Sequence, residues 1–143
     1  MIDRNIINVK WMKRAIFLAS LGKGTTSPNP MVGAVILDKD ENLISEGFHS
    51  KSGMPHAEAM AFNNLKKDAR NGTIYVNLEP CCHQGKTPPC VDKIISFGIK
   101  KVFVSIEDPD KRVSGKGIRL LKDAGIKVHL GLCEKESQEL NKS

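Results

Sequence analysis

Pro55-His56-Ala57-Glu58 and Pro80-Cys81-Cys82-His83-Gln84-Gly85-Lys86-Thr87-Pro88-Pro89-Cys90 are the two stretches around which the chain is arranged. Each lies between a strand-like run and a helix-like run. Ahead of the first, residues 32–37 and 43–48 read as strands joined by the polar turn Lys39-Asp40-Glu41-Asn42, which makes a β-hairpin. After it, Ala57, Met60, Ala61 and Leu65 recur at helical spacing within residues 56–69. Asn71-Gly72 breaks that pattern, and Thr73-Ile74-Tyr75-Val76 is a short buried strand leading into the second stretch. Beyond it, residues 90–97 read as a helix, with Pro89 suited to the first turn and Gly98 as its stop.

The flanks complete the pattern. Asn8 is placed to cap a first helix carrying Val9, Met12, Ala15, Ile16 and Ala19, which Gly22 stops. Residues 23–30 are rich in Gly, Thr, Ser and Pro and read as irregular backbone, stiffened by Pro28 and Pro30. Residues 101–106 form a strand, Asp108-Pro109-Asp110 a polar loop, and residues 118–124 a helix ended by Gly125. A last strand at 127–130 and a helix at 134–140 follow. The order αββαβαβαβα predicts an α/β fold in three layers, with one mixed five-stranded sheet between helices. The hairpin supplies an antiparallel pair, and helical crossovers make the later strands parallel. No repeat or linker interrupts residues 1–143, which read as one domain.

His56, Cys81 and Cys90 offer one imidazole and two thiols. Zinc suits that set, because a borderline-soft dication binds both imidazole nitrogen and thiolate sulfur. Three protein ligands leave the fourth tetrahedral position to water, which distinguishes a catalytic site from a closed structural one. In open sheets of this kind ligands gather beyond the carboxyl ends of strands, and both stretches fall there. Cys90 and His56 also stand at helix starts, where the macrodipole favours a thiolate and an anionic partner. Glu58, two residues past His56, is placed to accept the water's proton and deliver it to a leaving amine. His-x-Glu followed by Pro-Cys and a further Cys is the pattern of zinc nucleobase deaminases. Cys82 reads as local packing, because neighbouring residues seldom reach one metal together, and Cys133 reads as a small buried residue.

Composition narrows the classes. With 40% apolar and 27% charged residues the chain reads as soluble and globular. No apolar run approaches the roughly 20 residues that span a bilayer, and the start lacks a secretory pattern, so no membrane role and a cytoplasmic location are expected. Four cysteines then point to metal ligands or buried thiols rather than a disulfide framework. The net charge of +6 suits an anionic partner. With one Trp, one Tyr and five Phe, and no aromatic-interleaved basic stripe, nucleic acid is not expected.

Several further stretches carry a resemblance. Thr26-Ser27-Pro28-Asn29-Pro30-Met31-Val32-Gly33-Ala34-Val35, Gly47-Phe48-His49, Leu78-Glu79 leading into Pro80–Cys90, Asp108-Pro109, Ser114-Gly115-Lys116-Gly117-Ile118, Ala124-Gly125-Ile126 and Leu140-Asn141 join the two stretches above. Together they resemble the diaminohydroxyphosphoribosylaminopyrimidine deaminases of riboflavin biosynthesis, over almost the whole chain. The eight residues between Cys81 and Cys90 are the most specific part, since the related cytidine and tRNA-adenosine deaminases typically use Cys-x-x-Cys. The resemblance implies a cytidine-deaminase-like fold and hydrolytic loss of the 2-amino group of 2,5-diamino-6-(5-phosphoribosylamino)pyrimidin-4(3H)-one. It makes His56, Cys81 and Cys90 the zinc ligands, Glu58 the proton shuttle, and Asn29, His49, Ala57, His83, Lys86 and Asp108 substrate contacts. Asn29 suits a polar ring or ribose edge, and Lys86 suits a phosphate.

Two departures stand out. Asp110 replaces the family's usual Asn, and its carboxylate would repel a phosphate unless Lys111, Arg112 or Lys116 offsets it. Many members also carry a reductase half after Leu140-Asn141, whereas no Gly-rich dinucleotide fingerprint is present here, so reduction is expected from a separate or missing reductase. A homo-oligomer is compatible with the fold, and an exposed apolar helix face would be its sign. Two other functions compete. Deamination of another nucleobase, nucleoside or tRNA would favour Cys-x-x-Cys and a basic aromatic face. A noncatalytic zinc module would need a fourth ligand, with Cys82 or His83 nearest.

Overall fold

A computed structural model describes residues 3–22, 30–50, 54–82 and 89–141. Along the chain the elements are α1 (Arg4–Ser20), β1 (Gly33–Leu37), β2 (Leu43–Phe48), α2 (Ala57–Asn63), β3 (Thr73–Leu78), α3 (Cys90–Ser96), β4 (Lys101–Ile106), α4 (Lys116–Asp123), β5 (Lys127–Leu130) and α5 (Glu134–Leu140). The strands form one sheet in the order β2-β1-β3-β4-β5. β1 is antiparallel to both β2 and β3, while β3, β4 and β5 pair in parallel. β1 therefore runs against the other four. The carboxyl ends of β2, β3 and β4, and the entry to β1, share one edge of the sheet.

Alternate side chains serve opposite faces, as the two-residue strand period requires. Ala34, Ile36, Ile74, Val76, Val102 and Val104 join Ala61, Phe62, Val91, Ile94, Ile118 and Leu121 in a core beneath α2, α3 and α4. Val35, Leu37, Tyr75 and Phe103 face the other way and meet Met12, Ala15 and Leu18 of α1. With both faces covered, β1 is buried at every position, which explains its unbroken apolar sequence. Tyr75 and Phe103 stack at 4.6 Å between ring centres, and Phe103 stacks on His129 at 4.7 Å.

Two glycines allow the layers to close. A Cβ on Gly33 would lie 2.0 Å from the Ala15 carbonyl oxygen of α1, and one on Gly47 would lie 2.5 Å from that of Ala57 in α2. The helices thus press on neighbouring strands from opposite sides, since Ala34 pairs with Gly47 and Gly33 with Phe48.

The boundaries correct the sequence reading in places. Asn8 does not cap α1: the helix begins at Arg4, and the Asp3 carboxylate caps it by accepting from the Asn5 N–H at 2.9 Å. Asn8 lies inside the helix and its side chain accepts the Tyr75 hydroxyl at 2.7 Å. α2 stops at Asn63 rather than running to Ala69, because the Lys66 N–H is taken by the Ile44 carbonyl of β2. β3 extends to Leu78 and carries the fully buried Asn77 into the sheet, and α4 starts earlier than read, at Lys116. Cys133 is only partly buried, at the start of α5. Among the described residues no helix is long and apolar enough to cross a membrane. α1 leaves Ile6 and Phe17 exposed, as does its C-cap Leu21.

Candidate metal centre and active-site cleft

The shared edge of the sheet holds a cleft of about 220 Å³. Its walls come from the entry to β1 (Pro30, Val32), the exit of β2 (His49), the start of α2 (His56, Glu58), the end of β3 (Leu78, Glu79, Cys81) and the loop after β4 (Asp108). Residues from five places in the chain meet there because β2, β3 and β4 point their carboxyl ends at it while β1 departs from it.

His56 caps α2 through its backbone alone, with no side-chain cap bond, so the imidazole is free to turn outward. Its Nδ1 lies 3.7 Å from Cys81 Sγ and 3.6 Å from Cys90 Sγ. The three ligand atoms all lie within 4.8 Å of one another. Zn–S and Zn–N bonds of about 2.3 and 2.05 Å at a tetrahedral angle separate nitrogen from sulfur by about 3.6 Å. The donor set and its spacing therefore fit zinc. The Cys90 N–H, at the start of α3, also points at Cys81 Sγ, 3.2 Å away.

The sulfurs differ in charge preference. Hydrogen bonds from the Cys90 thiol and from His56 bring the Cys81 thiol down to about 4 despite its burial. The same shared proton, together with burial, pushes Cys90 up. His56 is raised chiefly by its hydrogen bond to Cys81. Metal ligands must be deprotonated, so a dication here would compete for the Cys90 proton.

Glu58 stands in the first turn of α2 and is 4% exposed. Burial pushes its carboxyl up to about 7; its own backbone N–H works against that rise, and the Cys81 thiolate adds to it. A carboxylate poised near neutrality can both take and return a proton at working pH.

His49 is 3% exposed, and its Nδ1 lies 3.1 Å from the Pro55 carbonyl oxygen, which can only accept. Nδ1 therefore carries the hydrogen. Nε2 is buried against the cleft and has no partner among the described residues. The His49 and His56 rings meet edge-on at 5.6 Å.

Glu79 is the residue that spacing did not single out. Its buried carboxylate accepts the backbone N–H groups of Asp108 at 3.0 Å, Gly115 at 2.9 Å and Ile118 at 3.1 Å. It thereby closes both ends of the Asp108–Gly115 loop onto the segment that carries Cys81. Asp110 lies in that loop and is paired by Arg112, with Nη2 2.9 Å from Oδ2 and Nε 3.1 Å from Oδ1. That pair holds the Asp110 carboxyl down at about 2 and offsets its charge locally.

Of the residues read from sequence, the structure brings His49, His56, Glu58, Cys81, Cys90 and Asp108 to this edge. Ala57 is fully buried in the first turn of α2, between His56 and Glu58. Asn29, His83 and Lys86 lie outside the described residues. Cys82 is partly buried against the core and is not in the ligand group.

A family model for the cytidine and deoxycytidylate deaminase zinc-binding region matches residues 7–106. The diaminohydroxyphosphoribosylamino-pyrimidine deaminase of Buchnera aphidicola (subspecies Schizaphis graminum) is 52% identical over 132 residues, covering 92% of this chain and 89% of that protein. The riboflavin biosynthesis protein RibD of Aquifex aeolicus is 49% identical over 140 residues, covering 98% of this chain but 38% of RibD. The solved structure of RibD from Acinetobacter baumannii superposes with a TM-score of 0.94 at 46% identity, over 98% of this chain and 39% of that one. The chain thus spans well under half of these RibD proteins and most of the Buchnera deaminase.

Proposed function

Since the chain belongs to the zinc-binding cytidine and deoxycytidylate deaminase family and, within it, to the diaminohydroxyphosphoribosylaminopyrimidine deaminases, we propose that it removes the 2-amino group of 2,5-diamino-6-(5-phosphoribosylamino)pyrimidin-4(3H)-one by hydrolysis, giving 5-amino-6-(5-phosphoribosylamino)uracil and ammonia. The observation that carries this reading is the juxtaposition of the buried Glu58 carboxyl, raised to about 7, with the His56, Cys81 and Cys90 ligand group.

His56 Nδ1 and the sulfurs of Cys81 and Cys90 would hold zinc. Bound there, zinc supplies a nucleophile at neutral pH by lowering the pKa of water. Glu58 accepts the proton of the attacking water and passes it to the neighbouring ring nitrogen as the oxygen bonds to C2. It then takes the remaining hydroxyl proton and delivers it to the 2-amino nitrogen, so the O–H and C–N bonds break, neutral ammonia leaves and a C=O bond forms. With Nδ1 committed to the Pro55 carbonyl, His49 has Nε2 left for a polar group of the substrate. The family pattern adds Asn29, Ala57, His83, Lys86 and Asp108 as substrate contacts, Lys86 being suited by its charge to the phosphate. The whole domain acts in the cytoplasm, and the following reduction belongs to a separate or fused reductase.

Ammonia release tests the assignment. The zinc-loaded chain is offered the phosphoribosylaminopyrimidine, cytidine, dCMP and guanine in parallel. Release from the first alone is expected. Release from another substrate alone would keep the chemistry and overturn the substrate.

A further inference from the structure

We infer that Asn141, at the far end of the chain from the catalytic groups, is a positioning residue for the substrate cleft. The inference rests on the deaminase reading above. Pro30 and Val32 form one wall of the cleft, yet they precede β1, which begins at Gly33, and so lie outside its ladder. Two side-chain amides hold the segment between them. The Met31 N–H donates to Asn141 Oδ1 at 2.8 Å, and Asn141 Nδ2 donates back to the Met31 carbonyl oxygen at 3.3 Å. From the other side, Asn77 Nδ2 donates to the same carbonyl at 3.1 Å, and Asn77 Oδ1 accepts the Gly33 N–H at 2.8 Å. An asparagine amide suits this task because it offers a donor and an acceptor in one plane, as a paired peptide does.

The clamp reaches into the cleft through a further bond. The Val32 carbonyl accepts the His49 N–H at 3.0 Å, so the wall and the His49 ring are fixed together. Outward, Asn141 directly follows α5, which packs on β4 and is bound to it by the Ser137 hydroxyl donating to that of Ser105 at 2.6 Å. The position of the cleft wall is thereby referred to β4 by a route that bypasses α2, α3 and the ligand group. Met31 is only 9% exposed, so loss of Asn141 leaves its N–H without an acceptor in a place that water reaches poorly.

Because Asn141 touches neither Glu58 nor the ligand group, its removal should weaken substrate binding and leave the proton chemistry alone. Replacing Asn141→Ala in the zinc-loaded chain is expected to raise KM for the phosphoribosylaminopyrimidine about tenfold, the scale of two net hydrogen bonds, with kcat and zinc content held. Asn141→Asp keeps the acceptor for the Met31 N–H and should recover part of the loss. Gln138→Ala, on the exposed side of α5, leaves both the clamp and the Ser137–Ser105 bond in place and should leave KM near wild type. Hydrogen exchange at the Met31 amide gives a reading independent of turnover: protection present in the wild type is lost in Asn141→Ala. Unchanged KM and unchanged Met31 protection in Asn141→Ala would overturn the inference, as would an equal rise in KM from Gln138→Ala. If the wild type fails to turn over this substrate, the functional reading falls, while Met31 protection alone still decides the clamp.

Discussion

At the scale of single residues, the chemistry depends on a carboxyl whose environment opposes its charge. Glu58 is buried and its carboxyl sits at about 7, whereas in an unfolded chain it would titrate near 4.5. A group raised on folding stabilises the native state fully below its unfolded value and loses that contribution as pH rises through its folded value. In the metal-free protein, stability should therefore fall between about pH 4.5 and 7 by on the order of 3 kcal/mol from this group. The lowered Cys81 thiol works in the opposite direction over the same range, so the difference in melting midpoint between wild type and Glu58→Gln is the reading, and it should fall across that window. His56, Glu58, Cys81 and Cys90 were legible in sequence because few residue types can ligate zinc or move a proton, so their identity announces them. The roles of Glu79, Asn77 and Asn141 were not, although Glu79 and Asn141 fall in stretches that carry the resemblance, because each bonds backbone atoms that any residue could supply. The partners of Glu79 lie up to 39 residues away, and that of Asn141 lies 110 residues away. A polar Asn77 inside the apolar run Thr73–Leu78 was the one local hint.

At the scale of elements, the site depends on how closely α2 lies against β2. Gly47 makes that approach possible, since a Cβ there would fall 2.5 Å from the Ala57 carbonyl oxygen and 2.6 Å from the Ala61 nitrogen. Ser45 strengthens the same contact by donating to the Ala61 carbonyl at 2.5 Å. Replacing Gly47→Ala should cost about 3 kcal/mol by forcing the layers apart, measured by denaturant unfolding. It should also lower activity in the protein that remains folded, because α2 carries His56 and Glu58. Strand and helix order was readable from apolar period and breakers, and β2, β4, β5 and α5 have the predicted bounds. The errors fell at ends, where tertiary bonds decide. Asp3 and Asn8 are both competent caps, and only the buried Tyr75 hydroxyl makes Asn8 a mid-helix partner. The end of α2 is likewise set by a bond to β2 that no local pattern encodes.

At the scale of the whole molecule, the two cores flank a sheet whose packing makes no use of the ligand group. The fold should therefore survive loss of metal. Chelation is expected to lower the melting midpoint by roughly 10 °C, the effect of a ligand bound at about a thousandfold over its Kd, while far-ultraviolet circular dichroism stays native at 25 °C. Unfolding on chelation would instead place the metal in a structural role. The excess of basic residues is consistent with an anionic substrate, and Arg112 already neutralises the acidic Asp110 beside the cleft. The most direct test of the account compares wild type and Glu58→Gln at equal zinc loading, with the phosphoribosylaminopyrimidine in ¹⁸O-labelled water. The account predicts that the wild type releases one ammonia for each ¹⁸O gained by the pyrimidine product, and that Glu58→Gln, with its zinc intact, releases none. Turnover by Glu58→Gln at the wild-type rate, or a zinc-loaded wild type that releases no ammonia, would contradict it.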